Sequence, residues 1–114
     1  MTDPRKIARG KPCMVRLHGC DGGGETTVLA HYRLAGTCGI GIKPAHYQAA
    51  WCCARCHDII DGRVKAPSGY SRNDVRLAHC EGVIRTLYEL DKMGELWKSC
   101  MKSPGMKPVE TMSC

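Results

Sequence analysis

The run TTVLAHYRL, Thr26 to Leu34, is rich in β-branched and aromatic residues and meets no Gly or Pro before Gly36, which predicts a strand. A period of two puts Val28, Ala30, Tyr32 and Leu34 on one face and Leu29, His31 and Arg33 on the other, so His31 and Arg33 point the same way. The next segment, AGTCGIGIKPAH, carries three glycines and a proline in twelve residues and predicts an irregular loop. A short second strand is expected over Tyr47 to Trp51. HDIIDGR, after Cys56, predicts one or two helical turns closed by Gly62 as a C-cap. Beyond the linker KAPSGY, Ser71 opens a longer helix, with Asp74 spaced for a capping box. Val75, Ala78, Val83, Leu87 and Leu90 form its apolar stripe, which runs to about Met101. Upstream, residues 1–12 read as a basic arm, CMVRLHGC (Cys13 to Cys20) as a short knuckle, and DGGGE as a turn.

The pattern predicts an α+β fold in one small domain over residues 1–102. Its core covers about 13–63, its C-terminal helix about 71–101, and residues 103–114 form a flexible tail. A chain of 114 residues is the size of one such domain. Its hydrophobic fraction of 43% includes nine cysteines and no Phe, so the aliphatic core is thin and calls for an added cross-link. Disulfides need an oxidising compartment, whereas the start MTDPRKIARGKPC is basic and polar, without an apolar signal region or cleavage site. A cytoplasmic protein is expected. Nine is odd, and Cys52 and Cys53 are adjacent, so metal binding uses these thiols better than full pairing does. No apolar run approaches the ~20 residues that span a bilayer, and no membrane partner is expected.

Seventeen Lys and Arg against eleven Asp and Glu give a net charge of +6 and a pI near 8.9. That balance favours a polyanionic partner, because each neutralised phosphate releases a counterion. The charge by itself is also found in proteins that bind no such partner.

Two thiol pairs, Cys13 with Cys20 and Cys53 with Cys56, flank the expected hairpin. Tetrahedral zinc takes four soft ligands, and a C-x2-C turn presents two of them, so one structural zinc would tie the ends of the hairpin together. Buried free cysteines packing as small hydrophobes are the competing reading, and Cys38 in the glycine loop could replace Cys20. Cys52, Cys80, Cys100 and Cys114 read as structural or incidental. His57 and Asp61 are one helical turn apart and share a face, which suits a divalent metal or an ordinary solvated pair. His18 and His79 have no such context.

The order of these residues carries more than any one spacing. CMVRLHGC, ETTVLAHYRLAGTCGIGIKP and CARCHDIID together resemble the HNH nucleases, also called the ββα-metal or His-Me finger family, and among them the small prophage-encoded proteins of the YbcO type. The resemblance spans residues 4 to about 75. It implies a metal-dependent endonuclease of nucleic acid, with DNA the expected substrate, encoded by a phage or prophage and acting in a bacterial host cell. His31 matches the first histidine, the general base. His46 stands where the middle asparagine usually orients that base. His57 matches the last histidine, a ligand of a catalytic Mg, Mn, Ni or Zn ion, and Asp61 falls where some relatives use a second helix ligand. Many relatives carry a ligand just before the first histidine, and Ala30 occupies that place here. Arg33 and Arg63, with Arg5, Lys6 and Arg9 of the basic arm, are the expected phosphate contacts, with ordinary surface charge the competing reading of Arg33 and Arg63. A zinc-stabilised nucleic-acid-binding module without catalysis is the alternative reading.

Overall fold

The computed structural model describes residues 3–39, 41–42 and 44–94. It is an α+β structure built around one two-stranded sheet, with elements in the order α1 (Pro4–Ala8), β1 (Val28–His31), β2 (Ala49–Cys52), α2 (Ala54–Ile60) and α3 (Arg72–Met93). The strands are antiparallel, in a register that pairs Val28 with Cys52, Leu29 with Trp51, Ala30 with Ala50 and His31 with Ala49. No helix among the described residues is long and apolar enough to cross a membrane.

Both strands differ from the sequence expectation because a ladder can be no longer than its partner. After His31 one more backbone bond forms, Tyr32 N–H to Gln48 O at 2.9 Å. The Gln48 amide then takes the Tyr32 carbonyl at 2.7 Å and the Thr37 hydroxyl at 2.8 Å, closing the pairing. Tyr47 is exposed in a turn, and β2 begins at Ala49 and runs through Cys52. All four residues of β2 are buried, as a continuous apolar run requires of a covered strand. Its other edge is closed by a 3.0 Å bond from Trp51 N–H to the Thr86 hydroxyl and a 2.7 Å bond from Met14 N–H to Trp51 O.

The expected basic arm is in part a helix. Asp3 caps α1 by accepting from Arg5 N–H at 3.0 Å, and Pro4 occupies the first turn, where its missing N–H costs nothing. Ala8 is fully buried and packs with Met14, Trp51 and Leu90, with Ile7 and Leu29 at the margin. This anchor leaves Arg5, Lys6 and Arg9 exposed.

Helix α2 begins earlier than expected, since Cys53 is its N-cap and Cys56 lies inside it; Gly62 follows the last turn with φ +80°. Ile59 is its buried anchor, and burying such a side chain is worth about 1.5–3 kcal/mol. In α3 the Ser71 and Asp74 capping box forms in full, and Gly94 closes the helix in the left-handed conformation. The buried face is Val75, His79, Gly82, Thr86 and Leu90. The stripe read from the apolar residues alone was therefore displaced, because two polar residues and a glycine hold the centre of this face. Gly82 lets α3 approach the Met14–Val15 backbone: a Cβ there would lie 2.9 Å from Val15 Cγ2 and 3.1 Å from Met14 O. The expected continuation of this helix to about 101, the tail 103–114, Cys100 and Cys114 lie outside the described residues.

Candidate active site

The glycine run after Cys20 folds back on the chain before Cys13, and this closure brings distant thiols together. Cys13 N–H donates to Gly22 O at 2.9 Å and Gly24 N–H to Lys11 O at 3.1 Å. Gly23, at φ +86°, has no room for a Cβ, which would sit 2.6 Å from Cys13 N. The sulfurs of Cys13, Cys20, Cys53 and Cys56 all lie within 4.8 Å of one another. A zinc–sulfur bond of ~2.3 Å implies sulfurs roughly 3.8 Å apart around a tetrahedral ion, so the four could hold a metal ion such as zinc. Cys56 N–H points at Cys53 Sγ from 3.4 Å, and Gly22 N–H at Cys20 Sγ from 3.3 Å, a donor that favours the Cys20 thiolate. Burial opposes it and pushes Cys20 up to about 11. Bonding to Cys13 likewise raises the Cys56 and Cys52 thiols, while those same bonds hold Cys13 down. A bound dication would lower the ligating thiols together. Cys38 stands apart from this group, with its thiol 3.7 Å from Leu34 O.

Apart from the thiols, a cleft of about 320 Å³ opens between the end of β1, the end of α2 and the first turns of α3. Its wall comprises His31, Tyr32, Arg33, Ile60, Asp61, Arg72, Arg76 and His79. His31 ends β1, and its Nε2 lies 2.9 Å from Nδ1 of His46, which the glycine loop delivers. Burial, followed by electrostatic repulsion from the neighbouring His46 and from Arg5 and Arg33, lowers the pKa of His31. Asp61 caps the C-terminus of α2; its Oδ2 is 3.3 Å from His57 Nε2 and 3.1 Å from Arg63 Nη2. The cleft thus joins His31 and Asp61 directly, and His46 and His57 each stand behind one of them. Ala30, beside His31, is buried and offers no side-chain ligand.

A family model described as "Putative nuclease YbcO" matches residues 2–95. The chain belongs to the YbcO family. Two curated members bear that same name, one from Escherichia coli (strain K12) and one from Enterobacteria phage 82. Each is 47% identical over 88 residues, covering 75% of this chain and 88% of the relative. A solved structure described as that of a putative bacteriophage protein from Escherichia coli K-12 MG1655 matches with a TM-score of 0.64 and 37% identity, over 79% of this chain and 98% of that one.

In this YbcO-family chain the structure departs from the sequence reading at three places around the cleft. Arg63 is held by Asp58, at 2.9 Å, as well as by Asp61, so it braces the end of α2 instead of standing free. His79, without context in the sequence, is buried with Nε2 2.9 Å from Ala30 O and its ring against Tyr32 at 5.0 Å. Arg72 and Arg76 reach the cleft from α3. Their spacing with His79, four and then three residues, puts all three on one helix face, but no local signal ties that face to the end of β1.

Proposed function

We propose that this chain is a metal-dependent endonuclease of the HNH type, hydrolysing phosphodiester bonds of nucleic acid, DNA foremost, as a phage- or prophage-encoded protein in the bacterial cytoplasm. The observation that carries the reading is the 2.9 Å contact of His31 with His46 on a cleft that Asp61, paired with His57, also lines. The β1–β2 hairpin followed directly by α2 has the element order of a ββα-metal unit, and the family name supports a nuclease.

His31 takes the proton of the attacking water. It can do so through Nδ1 only if Nε2 carries hydrogen, and Nε2–H then donates to Nδ1 of His46, which holds the ring and fixes the tautomer. The lowered pKa of His31 keeps the imidazole neutral and ready as a base near neutral pH. His57 and Asp61 would hold the Mg, Mn, Ni or Zn ion: a nitrogen and a carboxylate oxygen 3.3 Å apart on consecutive turns suit a shared cation. When bound, that ion supplies charge stabilisation at the scissile phosphate and the leaving oxygen. Arg63 keeps Asp61 in place. Cys13, Cys20, Cys53 and Cys56 hold a structural zinc that fixes the N-terminus of α2, and with it His57. Arg33 and the exposed basic residues Arg5, Lys6 and Arg9 face the nucleic acid.

A zinc-stabilised binding module without catalysis is favoured by one observation: at Ala30, where many HNH relatives carry a ligand, the methyl is buried and the carbonyl is taken by His79. Plasmid nicking across the four divalent metals decides between the two. Metal-dependent nicking that His31→Ala abolishes supports the nuclease; binding without nicking under all four metals supports the module.

A further inference from the structure

Three guanidiniums and one carboxylate share the wall of the cleft. Among the described residues, neither Arg33, Arg72 nor Arg76 takes part in an ion pair, in contrast to Arg63 and Arg85. The two on α3 are instead fastened to neutral acceptors. Arg72 donates through Nη1 to Ile59 O, at 3.2 Å, and through Nη2 to Ile60 O, satisfying carbonyls at the end of α2. Arg76 reaches the Tyr32 hydroxyl with Nε and Nη2, each at 3.4 Å. A guanidinium has five N–H donors, so each retains donors after these bonds while its position is set. Arg33 makes no hydrogen bond among the described residues and is exposed beyond the strand end. Uncompensated positive charge in a concave surface focuses the field on whatever anion enters it.

We propose that Arg72 and Arg76 of α3, with Arg33, form a phosphate grip that seats the substrate backbone against His31. The assignment rests on the nuclease reading and adds to it that α3, beyond the ββα unit, supplies the grip. The ligand is a polynucleotide phosphate, because rigidly held, forked donors match its oxygens and no base-reading geometry is needed.

The test is fluorescence anisotropy of the zinc-loaded protein on a labelled short DNA duplex over a range of salt concentrations, without a second divalent metal. Arg33→Gln, Arg76→Gln and the double variant are compared with Lys92→Gln at the far end of α3, where Lys92 pairs with Glu89. Arg72 is left in place because it also closes α2. Each arginine removed should weaken binding and reduce the log-log salt slope by about 0.9, and Lys92→Gln should leave the slope unchanged. Arg33→Gln keeps the test decisive should Arg76→Gln unfold. A double variant with the wild-type slope, in a protein that still binds and nicks, places the grip elsewhere and leaves the nuclease reading standing. A wild type that neither binds nor nicks overturns both. Polyglutamate displacing the duplex as well as unlabelled DNA does would mark a general anion surface and overturn the phosphate assignment.

Discussion

His31 Nε2 faces His46 Nδ1 at 2.9 Å, an imidazole pair in which only one ring can hold the shared proton. If His46 accepts, any acceptor in its place will do. His46→Asn, whose carbonyl oxygen can accept as Nδ1 does, should therefore retain most nicking activity, and His46→Ala should lose more. His31→Ala should lower the rate by ~10²–10⁴-fold with zinc content and DNA affinity unchanged. Single-turnover nicking of the three variants at saturating metal measures this. An inactive His46→Asn protein would show that the second imidazole is needed as more than an acceptor.

The four-sulfur cluster predicts which cysteine matters. Cys20 and Cys53 have their sulfurs 3.6 Å apart, whereas Cys38 lies near Leu34. Cys20→Ala should reduce the bound zinc and lower the melting temperature; Cys38→Ala should leave both unchanged. A chelator strong enough to strip the ion should unfold the wild type, since binding of such an ion is largely folding free energy. Elemental analysis with circular dichroism checks each outcome, and a folded, metal-free wild type would refute the zinc assignment.

The hairpin, the capped α3 and the thiol set were legible because each has a local signal: β-branched alternation around Leu29, the Ser71–Asp74 spacing, and paired cysteines. The tertiary contacts were not. Nothing local says that the carbonyl of Ala30 needs a donor 49 residues away, so His79 read as an ordinary histidine although it is buried against it. The folding of residues 4–8 depends on Trp51 and Leu90 covering Ala8, contacts that the charge pattern of the arm hides. Arg63 read as a phosphate contact because Asp61 was assigned to a metal and nothing in the spacing singled out Asp58, which also holds it.

Gly82 offers a test of packing. In an exposed helix interior, Gly to Ala gains about 1 kcal/mol. Here the new methyl meets Val15 Cγ2 at 2.9 Å and the Met14 and Val15 backbone at 3.1 Å, so α3 or the Cys13–Leu17 segment must move. Overpacking of this kind costs typically ~1–3 kcal/mol, which outweighs the propensity gain. Urea unfolding of zinc-loaded Gly82→Ala should show a lower midpoint. A rise would mean that this contact is loose.

His79 makes stability depend on pH. Burial lowers its pKa below the ordinary value of about 6.5, partly opposed by its bond to the Ala30 carbonyl and assisted by the charge of His57. Below that ordinary value the unfolded chain takes up a proton that the folded chain refuses. The stabilisation is therefore complete above pH ~6.5 and is lost as the pH falls through the lower folded pKa. His31, also shifted down, and the protonation of metal-binding thiols act in the same direction, so the wild-type curve alone does not isolate His79. His79→Gln does, because its amide can still donate to Ala30 O but does not titrate. The difference in unfolding free energy between wild type and His79→Gln should shrink steadily below pH 6.5, with the variant less sensitive to acid. Parallel curves from pH 8 to 5 would show that His79 titrates alike in both states, and that its burial does not hold it neutral.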